Sequence, residues 1–149
     1  MKMLLFALVL MLGGLSTSSA QVDELSDRKK MNTIKLTIEG GKTFTATLED
    51  NSSTQALKEQ LVKGDIIVEM EDYASMEKVG SLGIRLPRND RQTTTGPGDL
   101  ILYQGHNFVI YYDTNSWSFT RLGKIDNATQ AELKAALGKG DVRVTLSLD

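Results

Sequence analysis

Residues 98–125, GDLILYQGHNFVIYYDTNSWSFTRLGKI, pack three strand-like runs into one short stretch, and a sheet is the fold this pattern demands. Residues 99–103 and 108–112 flank a Gly-His-Asn turn. A third run, 117–125, is expected to put Trp117, Phe119, Arg121, Gly123 and Ile125 on one face, because side chains alternate along a strand. The chain has four Tyr, four Phe and one Trp, and six of these aromatics fall between Tyr103 and Phe119. A guanidinium beside aromatic rings is a lining suited to a ligand pocket.

The rest of the chain supports a β-rich reading. Ile34, Leu36 and Ile38 alternate with polar residues, Gly40-Gly41 turns the chain, and Phe44, Ala46 and Leu48 alternate again, so residues 32–48 read as a hairpin. A helix follows, with Ser52 and Gln55 at capping-box spacing, Ala56, Leu57 and Leu61 as its apolar stripe, and Gly64 as its stop. Ile66, Val68 and Met70 then alternate with Ile67, Glu69 and Glu71 as a third strand. Residues 73–98 read as a long loop rich in Gly, Pro, Asn and Thr, with a short strand piece expected around 83–86. A loop of that length in a compact domain is often functional. A second helix starts at Asn127 as N-cap, carries Leu133, Ala136 and Leu137, and ends at Gly138; Val142, Val144, Leu146 and Leu148 form the last strand. Strands dominate and both helices are short. The expectation is a mainly β fold, a small closed β-barrel with a helix over each mouth.

The first twenty residues stand apart from that fold. Lys2 precedes an apolar run, and Ser18-Ser19-Ala20 supplies the small residues a signal peptidase reads. Residues 1–20 are therefore expected to be a signal peptide cut between Ala20 and Gln21, giving an exported protein, periplasmic or secreted. The apolar run is shorter than the roughly 20 residues a membrane span needs, so no stable anchor is expected after cleavage. The chain contains no cysteine, which closes both the lipid-anchor route and disulfide stabilisation. Polar residues 21–31 read as a flexible leader, leaving 32–149 as one domain of ordinary size.

The net charge is −2, and removing Lys2, the one charged residue of residues 1–20, makes it −3. No clustered basic surface is expected, so nucleic acid is not the partner this composition suggests.

The runs MEDY (70–73), MEKVGSLGIRLPRNDRQTTTGPGD (76–99), ILYQGHNFVIYY (101–112) and NSWSFTRLGKI (115–125) resemble the cyclophilin-like fold, and within it a compact bacterial group of cyclophilin-like domain proteins. The resemblance covers residues 32–149. It implies a closed barrel capped by two short helices and, for the catalytic cyclophilins, peptidyl-prolyl cis-trans isomerisation. Those enzymes follow their first helix with a strand containing Phe-His-Arg, whose Arg is the main catalytic group. Here residues 65–73 carry Glu69, Glu71 and Asp72 instead, the Gln-Gly-Gly motif is absent, and the first Arg after the helix is Arg85. Rotating an X-Pro bond crosses a barrier of roughly 20 kcal/mol set by amide resonance. A donor aimed at the prolyl amide weakens that conjugation, whereas an ionised carboxylate offers only acceptors.

The residues themselves suggest a ligand-binding face formed by Glu71, Tyr73, Asn115, Trp117, Phe119 and Arg121, for a peptide or a small molecule. The plainer reading makes Trp117 and Phe119 barrel core, with Arg121 paired to Glu69 or Glu71. Glu69 and Glu71 share a face, which suits acid–base or metal chemistry but more often marks the solvated side of a strand. His106 is the single histidine, so no zinc site and no Ser-His-Asp arrangement is expected. No cofactor motif is present. The leading expectation is thus a binding module. The alternatives are a divergent isomerase with Arg85 or Arg121 in the catalytic role, and a purely structural domain.

Overall fold

The computed structural model describes residues 32–149; the expected signal peptide and leader lie outside the described residues. Nine strands and two helices follow the order β1 (Thr33–Ile38), β2 (Thr43–Leu48), α1 (Ser52–Lys63), β3 (Ile66–Tyr73), β4 (Glu77–Ser81), β5 (Arg91–Thr94), β6 (Asp99–Tyr103), β7 (Asn107–Tyr111), β8 (Ser116–Ile125), α2 (Gln130–Leu137) and β9 (Val142–Leu148). The sheet order is β2-β1-β9-β3-β4-β7-β6-β8, and β2 pairs with β8 to close an eight-stranded barrel. β5 is the ninth strand and pairs only with the first half of β8. Closure removes the open sheet edges that would otherwise present unpaired backbone groups.

Alternation fills the interior. Ile34, Leu36, Phe44, Ala46, Val68, Met70, Val144 and Leu146 project inward from β1, β2, β3 and β9. Leu100, Leu102, Phe108, Ile110 and Leu122 do so from β6, β7 and β8. The helices add Leu57 and Leu61, then Leu133 and Leu137, to the same cluster.

Several local expectations are corrected. The cap of α1 is Asn51, one residue before Ser52, and its partner in the capping box is Thr54: Thr54 N donates to Asn51 Oδ1 at 2.9 Å and Asn51 N donates to Thr54 Oγ1 at 3.1 Å. Thr129 caps α2, with Glu132 N donating to its hydroxyl at 3.2 Å. Asn127 takes φ 53 in the connection instead, a conformation asparagine tolerates. Within the expected long loop lie β4 and β5, whereas residues 83–86 form no strand.

The single expected face of β8 is split by a bulge. Leu100 pairs with Gly123 and Ile101 with Arg121, which leaves Leu122 as an extra residue opposite that step. The alternation changes phase there. Phe119 belongs to an outer cluster, while Ile125 lies in the barrel core. Gly123 sits where β2 presses on β8: a Cβ there would stand 2.2 Å from the Thr47 carbonyl oxygen, so only glycine permits the closing pair.

Candidate functional site

A second apolar cluster covers the outside of the barrel. Ile101, Val109, Tyr111 and Phe119 form it, with Val79 and Tyr103 against them. The strand register explains their meeting. Tyr73, Glu77 and Tyr111 align in one row across β3, β4 and β7. Val79, Val109 and Ile101 make the next row across β4, β7 and β6. The intervening residues, among them Lys78, Phe108 and Ile110, are fully buried on the opposite face.

β7 and β8 both run antiparallel to β6, so the short link 112–115 must carry the chain back along that sheet. The link delivers Asn115 beside the outer cluster. Asn115 is pinned by Thr95, whose N–H donates to the Asn115 carbonyl at 2.8 Å and whose hydroxyl oxygen accepts from Asn115 N at 3.1 Å.

Between these elements opens a cavity of about 510 Å³. Val79, Val109 and Phe119 give it apolar surface, and Tyr103, Met76 and Asn107 also line it. Tyr73 and Trp117 border it while remaining 59% and 60% exposed. The Tyr111 and Phe119 rings lie tilted at 39° with centroids 5.9 Å apart, which fixes both against each other. The turn between β3 and β4 holds Tyr73 and Met76 in place: Ala74 and Ser75 take φ 54 and 53, and Met76 N donates to the Tyr73 carbonyl at 3.1 Å. Two successive non-glycine residues in the left-handed region cost on the order of 1 kcal/mol each, strain stored at the border of the cavity.

Glu77 supplies the only carboxyl in the lining. It is 7% exposed, and burial raises its pKa to about 7, with the nearby Asp72 charge adding to the rise and the Tyr111 hydroxyl opposing it. Asn115 Nδ2 donates to the Tyr111 hydroxyl at 3.1 Å, and that hydroxyl bonds the Glu77 carboxyl. Burial pushes the Tyr111 phenol up to about 12, so it stays a donor at neutral pH. A relay Asn115–Tyr111–Glu77 thus orients one carboxyl that changes charge near neutrality. Such a group can accept or donate a hydrogen bond, or balance a positive charge.

Of the residues singled out in the sequence, Tyr73, Asn115, Trp117 and Phe119 line the cavity, whereas Glu71, Arg85 and Arg121 do not. Arg121 forks onto Asp99, with Nη1–Oδ1 at 2.7 Å and Nη2–Oδ2 at 3.2 Å, and its Nε lies 3.7 Å from Glu49. Asp99 is buried and also accepts from Gly96 N at 2.7 Å. Arg121 therefore ties β8 to β6 and the 96–98 turn, and neither Glu69 nor Glu71 is its partner. Glu69 pairs with Arg143. Glu71 shares the outer face with Val79 across the strand pair but remains exposed. Arg85 is exposed in the connection between β4 and β5. The His106 ring turns back to the Gln104 carbonyl at 3.0 Å.

Glu77, Val79, Asn107, Val109 and Tyr111 are the lining residues the sequence left unremarked. Glu77 falls within residues 73–98, the segment expected to be a loop. The one available signal was the spacing of Glu77, Val79 and Ser81, whose period of two is obscured by the charge at Lys78.

A small barrel closed on itself, with two helices feeding its core and an aromatic cavity on its outer wall, is the class these features define. The chain belongs to the Cyclophilin-like family, whose model matches residues 36–147. No curated protein matches the chain.

Proposed function

We propose that this protein is an exported binding module that receives a peptide or small molecule in the cavity beside β4 and β7. The observation that carries this reading is the pairing of exposed rings with an oriented, buried carboxyl. Trp117 and Tyr73 leave more than half their surface in water at the border of the same cavity, where one bound partner would cover both rings together. Concave apolar surface with a few placed polar groups is the usual form of a ligand site. A structural domain has no need of the Asn115–Tyr111–Glu77 relay facing open space.

The isomerase alternative, through Arg85 or Arg121, finds no such support. It requires a guanidinium directed at a prolyl amide inside an apolar slot, and no arginine lines this cavity among the described residues. Proposed export rests on the segment before Gln21.

Three experiments test the proposal. Nitrogen-detected chemical-shift mapping against a fragment and dipeptide library should concentrate perturbations on residues 73–79, 107–111 and 115–119; scattered or absent shifts would remove the binding reading. Proline isomerisation of X-Pro peptides should run no faster than in buffer. Acceleration abolished by Arg85→Ala or Arg121→Ala would favour the enzyme instead. N-terminal sequencing of exported protein should begin at Gln21, and an intact Met1 would refute cleavage.

A further inference from the structure

We infer that the cavity is built for an alkylated ammonium cation, a head group of the quaternary type, a conclusion that rests on the binding reading above. Tyr73, Tyr103, Tyr111, Trp117 and Phe119 all line the cavity, and aromatic faces carry the negative side of a quadrupole that attracts cations. Glu77 adds a carboxyl to the same wall. No lysine or arginine lines it among the described residues. An anionic ligand would meet a carboxyl and ring faces with no opposing cation. A neutral apolar ligand would leave the carboxyl uncompensated.

Alkylation is the second part of the inference. A primary ammonium carries three donors and strong hydration, and it needs acceptors to replace that water. The polar side chains here are few. The Asn115 amide is already engaged, its Nδ2 on Tyr111 and its Oδ1 on Ser116 N at 2.9 Å. That leaves Glu77, Asn107 and the tyrosine hydroxyls, which accept weakly, against a wall of rings and valines. A weakly hydrated, methyl-clad cation loses little on entering such a site and gains both the rings and the charge.

Binding should also depend on pH. The ionisable groups on the elements around Glu77 are Glu71, Asp72 and Tyr73 on β3, Tyr103 on β6, Tyr111 on β7, Tyr112 and Asp113 just beyond it, and Arg91 on β5. Of these only Arg91 is positive, and it is exposed and does not line the cavity. Lys78 points into the barrel, where Asp72 and the Gly140 carbonyl hold it, and Arg121 is held by Asp99. A bound cation therefore becomes the counter-charge that favours ionised Glu77, and its affinity rises as pH passes about 7.

Trp117 is the single tryptophan, so intrinsic fluorescence reports the cavity directly. The protein should be titrated with choline, with its neutral isostere 3,3-dimethylbutan-1-ol, and with n-butylammonium, at pH 5.5 and pH 8. At pH 8 choline should bind about ten-fold or more tightly than the isostere, as a single well-formed cation–π and charge contact allows. It should also bind more tightly than n-butylammonium. The advantage over the isostere should shrink at pH 5.5 and in Glu77→Gln, and the pH arm on the unmodified protein stands alone if that variant fails to fold. Equal binding of choline and isostere would overturn the cation inference while leaving the binding reading intact. Tighter n-butylammonium would overturn its alkylated part. No response to any of the three overturns the inference too, and the binding reading falls with it only if the fragment mapping is also silent.

Discussion

Glu77 and Lys78 are chain neighbours on one strand, both buried and both charged in water, yet β4 delivers them to opposite fates. Lys78 enters the barrel and is fully enclosed. Its Nζ lies 3.2 Å from Asp72 Oδ1, donates to the Gly140 carbonyl at 2.6 Å, and sits 5.9 Å from the centre of the Tyr112 ring. Tyr112 in turn donates to Asp72. The Asp72 pKa is lowered: burial works to raise it, but bonds from Tyr112 and Lys78 outweigh that effect. Glu77 faces outward into open space with one hydroxyl for company, and its pKa is raised. A buried charge with a complete set of partners is a structural feature; a buried carboxyl with one partner and a cavity before it is poised for something else. The sign of the pKa shift separates the two.

Lys78→Ala should be the most damaging, because it opens a cavity and strands Asp72 and the Gly140 carbonyl; a loss of about 3 kcal/mol in chemical denaturation is expected. Binding at the outer cavity should survive in the folded fraction. Arg121→Ala should cost about 2 kcal/mol by leaving buried Asp99 without its fork, again without loss of ligand affinity, which distinguishes a strut from a ligand contact. A weaker Arg121→Ala effect coupled to lost binding would return Arg121 to the site.

The pH dependence of stability sharpens the contrast. Glu77 has a folded pKa of about 7 against an ordinary value of 4.5, so between those pH values the folded state holds a proton the unfolded chain has lost. Stability contributed by that proton is fully present below about pH 4.5 and is lost as pH rises through 7. The expected fall is about 1–2 kcal/mol, reduced from the full linkage because the cavity admits water, and Glu77→Gln should flatten it. Asp72 acts in the opposite sense and at lower pH: its lowered pKa gives stability above the usual 3.8, lost only on further acidification. Trp117→Ala should change stability least, within about 0.5 kcal/mol, because the ring is largely in water. Its ligand affinity should nevertheless fall several-fold by titration calorimetry.

The barrel was legible because its strands obey simple alternation: β1, β2, β3 and β9 bury Ile34, Ala46, Val68 and Leu146 at a period of two. β4 was not, since its two most buried residues are a glutamate and a lysine, and no local pattern says that either will be covered. β5, Arg91–Thr94, holds no apolar residue at all and exists through its pairing with β8. The site was half legible for the same reason. Tyr73, Trp117 and Phe119 announce themselves as aromatics, whereas Glu77 acquires its character only when Tyr111 arrives from a strand far along the chain. Arg121 precedes the bulge at Leu122 and stays in phase with Phe119, but its guanidinium is taken by Asp99 of β6, a partner twenty-two residues away that no local pattern marks.

The most direct test of the account is the side-chain carboxyl ¹³C titration of Glu77, followed by NMR in the protein and assigned through Glu77→Gln. A midpoint near 7 is expected in the free protein, with Asp72 titrating below its ordinary value in the same experiment. A Glu77 midpoint near 4.5 would mean a solvated, ordinary carboxyl, and would contradict the claim that β4 presents a poised group to the cavity.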